Sequence, residues 1–233
     1  MLALAVDTAT PAVTAGLVEL EQAAAGANTS DAALPRTLAV RVLVDARAHA
    51  EALTPQILEC LAEAGVSRTD IAAVVAGIGP GPFTGLRVGL ATAAAFGDAL
   101  GIPVHGVCSL DAIAAECASE LGSGDELLVV TDARRREVYW AKYLNGARVA
   151  GPEVNKAAEV PVGDASAVAG SAAHVDYFDL PVLPSETPSP AGLVTVAASA
   201  LLAGDVPEAL VPLYLRRPDA VENSFRTLDR TGA

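Results

Sequence analysis

Residues 77–89 read GIGPGPFTGLRVG, and this stretch decides how the rest of the chain is interpreted. The apolar run at 71–76 before it predicts a buried strand, and the apolar stripe at 86–100 after it predicts a helix. The glycines and prolines between them restrict the loop, because proline locks φ and glycine permits a close backbone approach. A turn of this kind is either a binding site for an anion or a partner, or only a stiff connection, and the sequence leaves both open.

The composition of the 233 residues allows one large domain or two small lobes. Hydrophobic residues make up 52% but aromatic residues only 4%, so alanine, valine and leucine must fill the core. The formal net charge of −13 opposes broad contact with nucleic acid or an anionic membrane. The three cysteines form no disulfide framework, and no apolar run approaches the roughly 20 residues that span a bilayer. We therefore expect a cytoplasmic protein with no membrane association.

Hydrophobic periodicity predicts three successive strands, which suggest an antiparallel meander at the start of a mixed sheet, and then helices and further strands. In the third strand, Leu38, Val40, Val42 and Val44 alternate as the buried face of a half-buried strand should. Pro55 is expected to kink its helix rather than end it, because the apolar stripe keeps its phase through the proline. The stretch from the end of the last predicted strand, at residue 143, to about residue 183 is predicted to be irregular. The predicted strands lie at 2–6, 13–19, 38–44, 71–76, 104–107, 127–131 and 138–143, and the helices at 49–64, 86–100, 110–121 and 191–203.

Polar side chains follow the first strand directly, at Asp7, Thr8 and Thr10. A carboxylate, two hydroxyls and the N–H groups of a turn can hold a phosphate and its metal ion. The same residue types also form local turns in which the side chains only satisfy nearby backbone groups. The sequence does not decide between these two interpretations.

Residues that would carry metal or nucleophilic chemistry are sparse. The histidines His49, His105 and His174 include no pair at the spacing of two ligands on one helical face, so we expect no metal site. The chain also lacks the P-loop, the dinucleotide fingerprint and the G-x-S-x-G nucleophile elbow. Arg87 lies in the first turn of a predicted helix, where a cation opposes the helix dipole. We expect either an acidic partner for Arg87 or an exposed arginine that tolerates the penalty.

Five segments of this sequence resemble the TsaB (YeaZ) family in order and spacing, and PGPFTGLR is the most specific of them. The resemblance is strong over residues 1–144, fades through 145–205 and returns near 209–219. The segments are LALAVDTAT at 2–10, HAEALTPQILECLAEAG at 49–65, GIGPGPFTGLRVGLATAAAFGDALGIPVHGV at 77–107, DARRREVYWAKY at 132–143 and ALVPLYLRRPD at 209–219.

The resemblance implies an α/β fold of the actin/Hsp70/sugar-kinase type, which consists of two ribonuclease-H-like lobes. The first lobe would span 1–106 and a reduced second lobe 107–233, with the tail near 207–219 returning to the first lobe. TsaB is the non-catalytic partner of TsaD, which binds metal through an H-x-x-x-H segment. The equivalent positions here are Ser109 and Ile113, so the resemblance implies that no metal is bound and no catalysis occurs at them.

The resemblance also implies partners. They are a TsaD-type catalytic paralogue and a TsaE-type ATPase, which together make threonylcarbamoyl-adenosine beside the anticodon of tRNAs. We expect no cofactor on this chain itself, but ATP or ADP at the interface of the complex. The chain alone is expected to form a homodimer, and it should contact tRNA only through the complex. Arg134–Arg136 departs from the family, which usually has glycine near that turn.

The predicted site residues fall into three groups. The first is a vestigial phosphate-site hairpin, the second a diagnostic loop, and the third a partner interface on the helices 49–64 and 86–100. These groups are, in order, Asp7, Thr8 and Thr10; Gly79, Pro80, Gly81, Phe83, Thr84, Gly85 and Arg87; and His49, Leu53, Ile57, Ala91, Ala94, Ala95 and Asp98.

Three functions are compatible with this sequence. The first is a dimerising scaffold subunit of the tRNA threonylcarbamoylation complex. The second is an independent enzyme of the same fold, either an ATP-binding small-molecule kinase or a metallopeptidase-like hydrolase. The third is a regulatory homodimer that associates through the small residues of the helix at 86–100.

Overall fold

The computed structural model describes residues 1–21 and 35–216 and contains two β-sheets with helices packed on them. Three short 3-10 helices, at Arg68–Asp70, Ala118–Glu120 and Ala157–Glu159, lie between the main elements. The strands are β1 Leu2–Asp7, β2 Ala12–Glu19, β3 Arg36–Val44, β4 Ile71–Gly77, β5 Val104–Val107, β6 Glu126–Asp132, β7 Glu137–Leu144, β8 Ala147–Lys156 and β9 Ala165–Gly170. The helices are α1 His49–Ala64, α2 Phe83–Leu100, α3 Ser109–Cys117, α4 Ala172–Val175 and α5 Pro190–Ala203.

The first sheet has the strand order β3-β2-β1-β4-β5. Its first three strands form an antiparallel meander, and β4 and β5 then continue the sheet parallel to β1. Both faces are covered, so β1 is apolar at every position before its final aspartate. On one face, Leu4 and Val6 belong to the same core as Leu53 and Leu86 of α1 and α2, and on the other α5 packs against the sheet.

The second sheet repeats this plan with the order β8-β7-β6-β9. Again an antiparallel meander comes first, and β9 then pairs parallel to its first strand, β6. Helix α3 packs on one face, through Leu110 and Ile113 against Leu127 and Val129. Within the described residues this sheet has one strand fewer than the first. The repeated topology confirms the predicted α/β fold of two ribonuclease-H-like lobes with a reduced second lobe.

The helix bounds agree with the predictions to within a few residues. Helix α1 continues through Pro55 as one element and ends at Gly65, which has a φ of 66°. Helix α2 begins at Phe83, three residues earlier than predicted, because Pro82 already serves as its N-cap residue. None of the helices in residues 1–21 and 35–216 is both long enough and apolar enough to span a membrane.

Two strands were missed by the sequence analysis, which predicted irregular structure up to about residue 183. Strand β8 is an edge strand whose residues are exposed or half-buried with no regular alternation, so no period of two marks it. Strand β9 has the sequence ASAVAG, in which small residues give little hydrophobic signal. Its pairing with β6 and the packing around it, rather than local pattern, make it a strand.

The predicted orientation of β3 is wrong for its three valines, whereas Leu38, the fourth residue of the predicted face, is half-buried and packs on the core of the first sheet. Val40, Val42 and Val44 are 41%, 50% and 73% exposed, whereas Ala39 is buried in the core beneath α1. The alternation had the correct period, but β3 is the edge strand of the sheet and its valine side is left exposed. Periodicity finds the two faces of a strand, and only tertiary packing determines which one is covered.

The segment after α5 contacts both sheets. The N–H of Leu213 donates to the carbonyl of Ile78, with the two atoms 2.8 Å apart, and Leu210 packs on the core of the first sheet. Leu213 and Leu215 pack on the core of the second sheet. The division into lobes at residue 106 remains a prediction, and residues 217–219 of the predicted tail lie outside the described part of the chain.

Candidate functional site

The turn between β1 and β2 buries Asp7, which is 1% exposed. Its Oδ1 accepts a hydrogen bond from the N–H of Ala9 at 2.9 Å, and its Oδ2 accepts one from the hydroxyl of Ser109 at 2.5 Å. Burial raises the pKa of this carboxyl to about 6, although the hydrogen bond from Ser109 works in the opposite direction. A Cβ at Gly77 would lie 1.7 Å from Oδ2, so only glycine permits this approach.

Thr8 connects the same turn to the start of α2. Its hydroxyl donates to the carbonyl of Gly85 at 2.7 Å and accepts from the N–H of Gly89 at 3.0 Å. In a regular α-helix, the N–H of Gly89 would donate directly to the carbonyl of Gly85. A Cβ at Gly89 would lie 2.3 Å from the Thr8 hydroxyl, and one at Gly81 would lie 2.1 Å from the carbonyl oxygen of Ala9. The glycines of the 77–89 loop therefore let α2 lie directly against the hairpin.

Thr10 and His49 complete this network. The Thr10 hydroxyl accepts from the N–H of Ala12 at 3.2 Å. Nε2 of His49 lies 3.0 Å from the carbonyl oxygen of Thr10, and Nδ1 lies 3.1 Å from that of Ala46. Because a carbonyl only accepts, the imidazole can donate to both only when both of its nitrogens carry a proton.

The three hairpin residues predicted to form a phosphate site are thus brought together and buried. All three side chains make hydrogen bonds within the chain, and those of Asp7 and Thr8 reach α3 and α2. The contact with Ser109 was missed by the sequence analysis, which considered this position as the equivalent of a metal ligand. Its proximity follows from the parallel strands β1, β4 and β5, whose carboxyl ends meet at one edge of the sheet.

The diagnostic loop positions an aromatic and cationic cluster at the surface. The guanidinium carbon of Arg87 lies 3.7 Å from the ring centroid of Phe83, and its Nε donates to the hydroxyl of Tyr214 at 3.0 Å. Phe83 and Tyr214 stack with their centroids 5.2 Å apart. The partners of Arg87 recorded within the described residues are therefore aromatic, not acidic as one interpretation expected. Cation–π stacking offsets the unfavourable helix dipole and joins α2 to the final segment.

A cleft of about 380 Å³ opens between the first hairpin and the β6–β7 turn. Thr10, Phe83, Thr84 and Gly85 line it on the side of the first sheet. Asp132 and Arg134 line the opposite side, and Arg47 is also among the lining residues. Gly79 and Pro80 of the loop do not line this cleft; Gly79 has a φ of 101° and forms the bend before α2.

Arg134, Arg135 and Arg136 occupy that β6–β7 turn with φ values of 60°, 54° and 62°. Consecutive non-glycine residues in the left-handed region cost about 1 to 2 kcal/mol each. The departure from the family's glycine therefore produces a strained turn rather than a different hairpin, since β6 and β7 still pair on both sides of it.

The predicted partner interface divides into an exposed part and a buried part. On α2, Ala91, Ala94, Ala95 and Asp98 are exposed together, and we call this surface the alanine face. On α1 the prediction needs correction, because His49, Leu53 and Ile57 are 8%, 1% and 0% exposed. The apolar stripe that predicted α1 packs against the sheet, so Leu53 and Ile57 are core residues and cannot contact a partner. His49 instead lies against the hairpin and lines the cleft.

Positions 109 and 113, at the start of α3, are also buried. Ser109 donates to Asp7, and Ile113 packs in the core of the second sheet. In the described ranges, 1–21 and 35–216, no three His, Cys, Asp or Glu side chains group closely enough to hold a metal ion.

Comparison with known proteins places this architecture among proteins of tRNA modification. The family model of TsaD, described as tRNA N6-adenosine threonylcarbamoyltransferase, matches residues 43–223. An uncharacterized protein of Mycobacterium tuberculosis is 55% identical over 217 residues, which cover 93% of this chain and 92% of that protein. The chain is also 37% identical to the tRNA threonylcarbamoyladenosine biosynthesis protein TsaB of Escherichia coli over 97 residues, 42% of each protein.

A solved structure agrees with these sequence matches. YeaZ from Pseudomonas aeruginosa superposes with a TM-score of 0.72 at 28% identity, covering 92% of this chain and 99% of that one.

Proposed function

The chain belongs to the TsaB/YeaZ family, and on that premise we propose that it is a non-catalytic, dimerising subunit for threonylcarbamoylation of the adenosine beside the anticodon in tRNAs. It would act by binding a TsaD-type catalytic paralogue and a TsaE-type ATPase. The alanine face of α2 is the observation that carries this proposal.

The alanine face suits close contact between helices. Its alanines have only a methyl group beyond the backbone, so a second helix can approach without displacing long side chains. The opposite stripe of α2, which includes Leu86, Leu90 and Ala93, is buried against the sheet and fixes the direction in which the face points. On the neighbouring helix α1, Leu58 is 58% exposed and adds apolar surface for a partner.

The charge of the chain supports an indirect role in tRNA binding. With a formal net charge of −13, the chain repels the phosphate backbone over most of its surface. In this proposal the catalytic paralogue holds the tRNA, and the present chain forms a homodimer when that paralogue is absent.

The nucleotide of the system, ATP or ADP, is proposed to bind at the interface of the complex and not on the isolated chain. The hairpin supports this, because the side chains of Asp7, Thr8 and Thr10 are already hydrogen-bonded within the fold. Calorimetry with ATP and magnesium is expected to detect no binding to the isolated chain. Micromolar binding would favour an independent kinase of the same fold instead.

Ala95→Glu tests the proposed interface. A carboxylate placed in a helix–helix contact loses its hydration, so affinity for the TsaD-type paralogue should fall at least about tenfold. Ala118→Glu, at an exposed alanine beside the second sheet, is the matched control and should bind as the unsubstituted chain does. Sedimentation velocity measures both variants, and unchanged association of Ala95→Glu would place the interface elsewhere.

A further inference from the structure

A groove opens between β5, the edge strand of the first sheet, and the segment that follows α5. It has two parts, of about 540 Å³ and 360 Å³, and both are lined by His105 and residues 205–207. The larger part lies within the 300–1,000 Å³ of typical small-molecule sites. The apolar wall of that part includes Ile78, Ala200, Val206, Val211 and Leu213.

The imidazole of His105 lines both parts of this groove. The residue is 7% exposed, and within residues 1–21 and 35–216 neither of its ring nitrogens has a hydrogen-bond partner. Burial lowers the pKa of the ring, although Asp205 works in the opposite direction, so the ring is mainly neutral near pH 7. A neutral imidazole has one nitrogen that donates and one that accepts. Buried polar groups in proteins are normally paired, so this ring indicates a ligand that completes its hydrogen bonds.

Negative charge is concentrated at the same groove. Asp205 follows Gly204, the C-cap residue of α5, so its carboxylate adds to the negative end of the helix dipole. The last turn of α5 has no basic residue, and Glu208 brings a second carboxylate to the groove. Neither carboxylate forms an ion pair with another residue of the described part of the chain. This arrangement is unfavourable in the free chain, and a bound cation would relieve it.

These features together select one class of ligand. The apolar wall accommodates a methylene chain, and the carboxylates attract ammonium groups. The neutral imidazole can accept a hydrogen bond from an ammonium N–H without adding positive charge of its own. Among the described residues, no three His, Cys, Asp or Glu side chains group closely enough to hold a metal ion, so the cation that fits is organic.

The spacing of the two carboxylates favours an elongated cation. Asp205 and Glu208 are three residues apart, so their Cα atoms are separated by at most about 11 Å even in a fully extended chain. A short linear chain with an ammonium group at each end can therefore contact both carboxylates while its methylene groups lie on the wall between them.

We propose that this groove binds a linear aliphatic polyamine, whose ammonium groups pair with Asp205 and Glu208 and whose methylene chain lies along Val206 and Val211. The imidazole of His105 accepts a hydrogen bond from one ammonium group. The site includes no residue of the alanine face, and it does not depend on the proposed function of the chain.

Titration calorimetry of the full chain with spermidine tests the site. We expect saturable binding of spermidine and none of hexanediol, which has a similar methylene chain without charge. Asp205→Asn combined with Glu208→Gln removes both charges at nearly constant shape and should weaken the affinity at least about fivefold. The matched control is Asp164→Asn combined with Glu120→Gln, which changes the net charge equally at two other exposed carboxylates and should bind as the native chain does.

Two further readouts separate this site from a general attraction of the acidic chain for cations. The imidazole resonances of His105 should shift when spermidine is added, whereas those of His174 should not. Asp205→Asn alone should weaken binding without lowering the melting temperature, because it removes a carboxylate from the negative end of α5. The proposal is overturned if spermidine does not bind saturably, if hexanediol binds as well, if the two double variants lose affinity equally, or if the resonances of His105 do not move.

Discussion

Several single residues of this molecule are held in unfavourable environments or backbone conformations. Asp7 is a buried carboxyl with a raised pKa, and the three arginines of the β6–β7 turn have left-handed backbone conformations. Neither property was visible in the sequence, because burial and φ both depend on which elements pack together. The residue types alone indicated only that the hairpin was polar and that the turn departed from the family.

Asp7→Asn should remove a dependence of stability on pH. The folded-state pKa of about 6 exceeds the ordinary value of 3.8, so the folded chain binds more protons than the unfolded chain between these values. The stability that this proton contributes is therefore lost as pH rises through 6. Between pH 5 and 7.5 the native protein should lose roughly 1 to 2 kcal/mol relative to the variant in urea unfolding.

Asp164→Asn, at an exposed carboxylate, controls for the change of charge and should follow the native protein. If the Asp7→Asn difference stays constant over this pH range, the carboxyl titrates alike in the folded and unfolded chains.

Arg136→Gly should stabilise the protein by about 0.5 to 1 kcal/mol. Glycine adopts a φ of 62° without steric cost, and this gain exceeds the extra entropy of glycine in the unfolded chain. Arg68→Gly, at a helical position with ordinary φ, should instead destabilise it. Thermal unfolding measures both variants, and a lower melting temperature for Arg136→Gly would show that the arginine side chain contributes more than the backbone strain costs.

Helix α2 carries the proposed partner interface, and glycines of the 77–89 loop set its position against the hairpin. The sequence analysis found the strand, the loop and the helix because hydrophobic periodicity is a local property. It could not find that Thr8 inserts its hydroxyl between Gly85 and Gly89, since that contact joins residues far apart in the chain. It also assigned α1 the wrong surface, because a stripe that packs on the sheet and one that binds a partner have the same period.

Thr8→Val should weaken the attachment of α2 to the hairpin. The substitution keeps the shape of the side chain but leaves the N–H and carbonyl that the hydroxyl now joins without that partner, which costs about 1 to 3 kcal/mol. Thr8→Ser keeps the hydroxyl and should lose less. Chemical denaturation of the two variants gives the comparison, and equal losses would mean that the methyl group, not the hydroxyl, makes the contribution.

At the scale of the whole molecule, one topology occurs twice and the final described segment binds both copies. The sequence predicted the strands of the first sheet well, because most of them are apolar and the later ones are separated by clear helices. The second sheet was predicted less well, since β8 is an irregular edge strand and β9 is composed of small residues. Resemblance to the family, rather than periodicity, supplied the number of lobes.

The two sheets together leave the alanine face of α2 exposed, and the central claim is that a partner covers it. Reconstitution of tRNA threonylcarbamoylation tests this claim most directly. The reaction contains the TsaD-type paralogue, the TsaE-type ATPase and the remaining components, and this chain is either added or omitted. We expect substantial modified adenosine, measured by mass spectrometry of the digested tRNA, only when the chain is present. Equal yield without the chain would contradict the account.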